Sequence, residues 1–381
     1  MIISHPSTPS APLREKLRLP RRLLFLLLVP LGMGLSQFAS QDPERTERLF
    51  SGGYYPILSQ MFNRITGLVP LSLAEFTVVL GIPAAVAWVV LSIRKAVRSP
   101  GEQRQRLLNL LSTLLAVAAG FYFIFVVTCG VNYSRMPFAW HAGLTVRPSS
   151  AEELALACVD LIADANRLRE GLPEDEEGVF QLEKSVFATG KASRTGFHRL
   201  AQEIPALGGD YSPPKPVLLS HLWSYTQITG VFTCWSMEAN VNIDVPDFTL
   251  PFTMCHEQAH LRGFMREDEA NFIAYLACME SEDQAIQYSG ASMAAMYAMN
   301  TLYQADYERF CELYATYSPV VQRDFAAQSR YWAQFEGPVA EVSDKVNDTY
   351  LKANRQTDGV ASYGRMVDLL LANYRAKHGV E

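Results

Sequence analysis

Two histidines and a glutamate within five consecutive residues form the clearest chemical signal in this sequence. His256, Glu257 and His260 make the pattern His-Glu-x-x-His. On an α-helix, residues four positions apart lie on the same face, so both imidazoles can bind one Zn²⁺ ion while Glu257 lies beside the water that the ion activates. The pattern therefore predicts a metal-binding helix with hydrolytic chemistry. The alternative is a pair of hydrogen-bonded histidines on a buried helix face.

A catalytic zinc site needs a third protein ligand and an open position for water. Gly263 can end the motif helix in a left-handed turn, and the acid-rich run Arg266 to Glu269 then begins a second helix. Glu267 shares a small, polar helix face with Asn271, which suits close packing against the motif helix. We predict Glu267 as the third ligand, with Glu269 as the alternative on the neighbouring face. A solvated first turn of acids is the non-functional interpretation.

The apolar residues concentrate in the first third of the chain. The sequence is 49% hydrophobic and 19% charged overall, and three stretches at about 23–39, 68–93 and 107–130 are almost free of charge. Each is long enough, or nearly so, to cross a hydrocarbon core of about 30 Å. We therefore predict three transmembrane helices. A cleaved signal peptide is the alternative for the first, but no small-x-small cleavage site follows Leu35.

Basic residues indicate how these helices are oriented. They cluster at Arg14 to Arg22, before the first stretch, and at Arg94 to Arg106, between the second and the third. Such clusters favour the cytoplasmic side. The chain then divides into a cytoplasmic N-terminus (1–22), a membrane domain (23–131) and an extracytoplasmic domain (132–381) that carries the motif.

The last 250 residues predict a mostly helical α+β domain with a small β-sheet beside the metal helix. A helix is expected from Ser150 to about Arg169, and Thr253 can cap the motif helix. Glu238 to Ile243 alternates as a half-buried strand does, and could either line the cleft and bind an extended peptide or belong to the sheet core. Later helices are expected at residues 293–316, 319–335, 339–353 and 362–377.

Several other residues could support the site or the fold. Tyr225, Tyr363 and His221 could donate a hydrogen bond to an oxyanion, although such residues are more often structural. Arg262 is expected to pair with a nearby acid. The six cysteines show no zinc-site spacing and are expected to be single buried thiols. A net charge of −6 without a basic stripe in the outer domain disfavours nucleic acid as a partner, and none is predicted.

The motif region resembles a known family. The run LPFTMCHEQAHLRGFMREDEANFIAYLA is similar to the signature of the DUF3810 family of bacterial membrane proteins, as are EANVN and YLKANRQTDGVASYGRMVDLLL, and the resemblance covers most of the chain. The motif is also similar to that of gluzincin peptidases, which places Glu267 in the ligand position. Glu267 follows His260 by seven positions, a shorter gap than gluzincins show. The spacing resembles that of metzincin peptidases, whose final metal ligand would fall at Arg266. Arginine is permanently protonated and cannot bind a metal.

Together these features predict a membrane-anchored, zinc-dependent metallohydrolase, most consistent with a peptidase in the bacterial cytoplasmic membrane. Glu257 is the expected general base, and the expected partners are the lipid bilayer and a peptide or protein substrate. The alternative is a non-catalytic, membrane-tethered binding or sensor protein with a zincin-like fold. A transporter is disfavoured because the predicted spans carry a single acid, Glu75. The sequence leaves the oligomeric state open.

Overall fold

The computed structural model describes residues 20–354, 356 and 365–379. Several sequence predictions fall outside these residues: most of the basic cluster that starts at Arg14, the candidate hydrogen-bond donor Tyr363, and the start of the last predicted helix. The described part of that helix runs over Met366–His378.

Three helices are long and apolar enough to cross a membrane, as predicted. They are the first span, Arg21–Ser40, the second span, Leu73–Val97, and the third span, Gln103–Thr128. At about 1.5 Å per residue, helices of this length match a hydrocarbon core of about 30 Å. The second span begins later than predicted because the Ser72 hydroxyl caps it, accepting a hydrogen bond of 3.0 Å from the backbone N–H of Glu75.

The segment between the first two spans packs against the globular domain. Its main helix is Tyr55–Thr66, and short helical segments cover Pro43–Thr46 and Glu47–Tyr54. The Tyr55 hydroxyl, fully buried, donates to the carbonyl of His260 at 3.3 Å. This segment and the globular domain therefore lie on the same side of the spans.

The globular domain is mostly helical, and its core forms around the long helix Gln284–Ala305. This helix packs along Ala151–Arg169, which begins as predicted with Ser150 accepting a hydrogen bond of 3.1 Å from the N–H of Glu153. The other helices of the domain with seven or more residues are Val186–Ala192, Arg194–Glu203, Leu250–Leu261, Glu267–Met279, Tyr307–Tyr314, Pro319–Ala333, Pro338–Ala353 and Met366–His378. The predicted mostly helical fold with three N-terminal membrane helices is thus confirmed.

A three-stranded sheet lies beside helix Leu250–Leu261. Its strands are β1 (Lys215–Val217), β2 (Gly230–Thr233) and β3 (Glu238–Asn242), in the order β1-β3-β2. β3 is parallel to β1 and antiparallel to β2, so it is the central strand. The hypothesis that Glu238 to Ile243 binds an extended peptide through its backbone is therefore wrong, because both hydrogen-bonding edges of β3 are occupied. Its alternative, a strand of the sheet core, is confirmed.

Two further local predictions need correction. The helix expected over residues 293–316 is interrupted at Asp306, whose carboxylate caps a new helix by accepting from the N–H of Arg309 at 3.0 Å. Five of the six cysteines are buried free thiols, as expected, but Cys311 is exposed.

Candidate metal centre

The His-Glu-x-x-His motif lies on helix Leu250–Leu261, all of whose residues are buried. A helix surrounded on every side belongs to the interior of a domain, which explains why its flanks are apolar. The helix begins at Leu250, so the prediction that Thr253 caps it is wrong. The Thr253 hydroxyl instead donates to the carbonyl of Thr249 at 3.2 Å, within the first turn.

A tight turn after the motif brings a second helix beside the first. Gly263 has a φ of +86°, the left-handed conformation that glycine adopts most easily, and the N–H of Phe264 reaches back to the carbonyl of Ala259 at 3.2 Å. Helix Glu267–Met279 then starts with three acids in its first turn and packs against the motif helix. The predicted turn and second helix are both confirmed.

Three donor atoms from the two helices converge. The Nε2 atoms of His256 and His260 are 3.0 Å apart, and Glu267 Oε2 is 3.1 Å from the first and 3.7 Å from the second. Donor atoms bound to Zn²⁺ at about 2.0–2.1 Å in a tetrahedron are about 3.3 Å apart. Two imidazoles and one carboxylate at this spacing fit a divalent transition metal, and they are the cluster of metal-ligand residues found in the described part of the chain.

Both histidines are held with Nε2 facing the carboxylate of Glu267. Nδ1 of His260 lies 2.7 Å from the carbonyl oxygen of Phe264, which can only accept, so this nitrogen carries the proton. Nδ1 of His256 lies 2.8 Å from Oδ1 of Asn271, one turn along the second helix from Glu267. Such outer contacts fix the ring orientation and the tautomer that a metal requires.

The carboxylates at positions 267 and 269 have different surroundings. Burial alone would raise the pKa of Glu267, but the charges and hydrogen bonds of His260 and His256 lower it well below its usual range. Glu267 is therefore an anionic donor in the cluster. The carboxylate of Glu269 accepts from the N–H of Phe138 at 2.7 Å and pairs with Arg266 at 2.9 Å. It does not join the cluster, and Glu269 as the alternative ligand is wrong.

Glu257 lies beside the cluster, close to both histidines. It is buried, and its Oε2 atom has no hydrogen-bond partner among the described residues. Burial raises its pKa to about 7, more than the neighbouring His256 and His260 lower it. A carboxyl group with a pKa near neutrality can accept a proton and release it again. Gly230, at the start of β2, allows this position, because a Cβ there would collide with the Glu257 carboxylate.

The three candidate ligands lie on the wall of a cavity of about 1130 Å³. Its wall also includes three tyrosines that the sequence analysis did not identify: Tyr133, Tyr297 and Tyr350. The hydroxyls of Tyr133 and Tyr350 are 3.1 Å apart. No local sequence signal marks these residues, because they come from three distant segments. β2, an edge strand, lines the same cavity along its whole length.

The hydrogen-bond donors suggested by sequence lie elsewhere. His221 Nδ1 is 2.9 Å from Asp244 Oδ2, and the Tyr225 ring packs edge-on against Phe335. Neither residue is among those that line the cavity. Both side chains therefore make structural contacts and do not face the candidate metal centre.

Arg262 is fully enclosed behind the motif helix. It donates to the carbonyl of Leu207 at 2.7 Å and to the backbone and side-chain oxygens of Gln258, and it lies over the ring of Phe197. Its partners are neutral oxygens, so the expected pairing with an acid is wrong. Arg262 braces the C-terminal end of the motif helix.

Comparison with known proteins places the chain in a family. Neither the curated proteins nor the solved structures give a match. The profile described as "Protein of unknown function (DUF3810)" matches residues 50–371, which include the second and third spans, the sheet and both helices of the metal centre. This chain therefore belongs to the DUF3810 family.

Proposed function

We propose that this protein is a zinc-dependent peptidase anchored in the bacterial cytoplasmic membrane, with its metal centre outside the cytoplasm. The observation that supports this best is the spacing of the three donors, 3.0, 3.1 and 3.7 Å, next to the unpartnered carboxylate of Glu257. Two histidines and one carboxylate with an open side are a common ligand set of catalytic zinc. The same set also serves non-haem iron, so the metal itself must be measured.

The residues of the chain have separate roles in this proposal. His256 and His260 would hold the ion through Nε2, and Glu267 through its carboxylate. The ion, when bound, lowers the pKa of water and polarises the substrate carbonyl. Glu257 takes the proton from the attacking water and passes it to the nitrogen of the leaving amine. Its position inside the wall keeps it away from bulk solvent, where a carboxylate would be a weaker base.

An extended peptide fits the edge of the sheet. β2 pairs with β3 on one side only, and all four of its residues line the cavity. A substrate strand can add to such an edge through backbone hydrogen bonds, which recognise a polypeptide whatever its side chains are. This arrangement favours a peptide bond as the bond that is cleaved.

The basic residues between the second and third spans indicate on which side of the membrane the globular domain lies. The basic link between the second and third spans, Arg94 to Arg106, lies at the ends of these spans that point away from the domain. Basic links remain on the cytoplasmic side of bacterial membranes. The metal centre then lies outside the cytoplasm. Fusion of a reporter enzyme to the C-terminus, active only outside, checks this assignment.

Metal analysis combined with one substitution tests the proposed function. The purified full-length protein is expected to contain one zinc ion per chain, and His256→Ala to lose it, whereas His198→Ala, on the surface, keeps it. Glu257→Gln should retain zinc and lose cleavage of an unbiased peptide library by at least about 100-fold. The surface variant Glu280→Gln is the matched control.

Three results would contradict this proposal. Iron in place of zinc, or a wild-type protein that binds no metal, would exclude a zinc hydrolase. A zinc-loaded protein that cleaves no peptide in the library would favour the non-catalytic binding or sensor protein.

A further inference from the structure

The cavity of the metal centre is built partly from the membrane spans. Val78 and Val79 of the second span line it, as do Phe125 of the third span and Cys129 at its end. Val79 is six residues from the start of its span, which corresponds to about 9 Å along a helix. The wall of the cavity thus continues from the candidate metal ligands onto the second and third spans.

The third span ends directly beneath the metal centre. The thiol of Cys129 is 3.5 Å from the sulfur of Met265, in the turn between His260 and Glu267. The candidate metal centre therefore lies next to the end of the third span.

Apolar residues at the mouth of the cavity lie next to the second and third spans. Leu222 and Trp235 line it and remain 62% and 44% exposed, and the Trp235 ring packs edge-on against Phe121 of the third span at 6.4 Å. Glu75, in the first turn of the second span, accepts from the backbone N–H groups of Leu218 and Leu219 at 2.9 and 2.8 Å. Exposed apolar residues that continue into a transmembrane surface are shielded by lipid or by an apolar ligand.

The charge of the wall argues against a lipid headgroup as the ligand. Lysine and arginine are absent from the described residues that line the cavity, whereas its acids are Glu75, Glu257, Glu267 and Asp344. With a divalent cation bound, the formal charge of the wall still stays negative. A phosphate group is held by cations or by clusters of backbone N–H groups. An uncharged or basic polypeptide suits this wall better.

From these contacts we infer that the substrate is a polypeptide anchored in the same membrane, cut close to the outer end of its own apolar segment. The apolar segment reaches the cavity along the second span and past Leu222 and Trp235, and the extended part beyond it pairs with β2. This inference rests on the proposed peptidase function and specifies its substrate class.

The test compares one cleavage sequence in two forms. The sequence selected from the peptide library is made as a soluble peptide and as the same peptide joined to a single apolar helix of about 20 residues. Both are given to the full-length protein in phosphatidylcholine vesicles. We expect the anchored form to be cleaved at least about tenfold faster. Leu222→Asp should lower the ratio of the cleavage rate of the anchored peptide to that of the soluble peptide about tenfold. Leu156→Asp, on an exposed face of helix Ala151–Arg169, should leave this ratio unchanged.

A second measurement does not depend on turnover. A photo-crosslinking residue at position 222 in the Glu257→Gln background should capture the anchored peptide, and the same residue at position 156 should not. Capture of lipid alone at position 222 would overturn the inference. Equal cleavage of the two forms, with the ratio unaffected by Leu222→Asp, would also overturn it while the peptidase function stands. Cleavage of neither form by the zinc-loaded protein would instead refute the peptidase function, and the inference with it.

Discussion

Replacing Gly230 with alanine tests how the sheet positions the carboxylate of Glu257. A Cβ built on Gly230 lies 2.8 Å from Cγ and 2.9 Å from Cδ of Glu257, closer than carbon atoms can approach. The backbone of β2 is fixed by its pairing with β3, so the Glu257 side chain must move instead. The substitution therefore displaces the proposed general base without touching a proposed metal ligand.

The expected effects on stability and activity differ in size. The atoms that collide belong to the end of a flexible side chain, and alanine is favoured over glycine in a strand by about 0.5–1 kcal/mol. Overpacking costs about 1–3 kcal/mol, so the net loss of stability should be no more than about 2.5 kcal/mol. A misplaced general base loses about 10²–10⁴ in rate. Gly230→Ala should thus be folded, zinc-loaded and at least about 100-fold slower.

The assay measures zinc content, thermal unfolding and peptide cleavage side by side. Gly120→Ala is the matched control, because a Cβ at Gly120 meets nothing within 4 Å. The double variant Gly230→Ala/Glu257→Gln should be no slower than Glu257→Gln alone, because both changes remove the same contribution. Full activity of Gly230→Ala, in a protein that still depends on Glu257, would refute the assigned role of β2.

Two further predictions concern the support of the site. Asn271→Leu removes the acceptor for Nδ1 of His256 and should weaken zinc binding about 10–100-fold in a chelator competition, whereas Asn271→Asp should keep it. Glu47 forms a buried pair with Arg135 at 2.8 Å, and although burial would raise its pKa, His141 and Arg135 lower it below the usual 4.5. This pair stabilises the fold above about pH 4.5 and is lost as the pH falls through the lowered pKa. Glu47→Gln should be less stable by about 3 kcal/mol at pH 7, and its unfolding temperature should respond less to acid than that of the wild type; equal acid profiles would exclude the pair as a contributor.

Short-range patterns explain what could be predicted from sequence. The three spans follow from uninterrupted apolar stretches, and the candidate metal ligands follow from helical spacing. His256 and His260 share a face by their separation alone, and Gly263 fixes the turn that brings Glu267 back to them. Each of these features depends on residues close together in the chain.

Long-range packing explains what could not be predicted. The alternation over Glu238 to Ile243 suggested one solvent-facing side, yet the polar residues of β3 are buried. Glu238 accepts from the backbone N–H groups at the start of the second span and pairs with Lys215, while Asn240 donates to the hydroxyl of Thr233 at 3.0 Å. A polar side chain that finds its partners inside the protein looks, in sequence, the same as one that faces water.

The contacts of Glu238 also show why the metal centre and the membrane helices form one unit. A carboxylate on the central strand caps the second span, while the Tyr55 hydroxyl bonds to the carbonyl of His260 from the segment between the first two spans. Both contacts are buried, so their loss would leave polar groups without partners in the interior. The sheet that positions Glu257 and the helix that carries the histidines are thus each tied to the membrane region. Such ties go beyond what a simple membrane anchor requires, and they fix the cavity beside the spans, where the proposed anchored substrate would enter it.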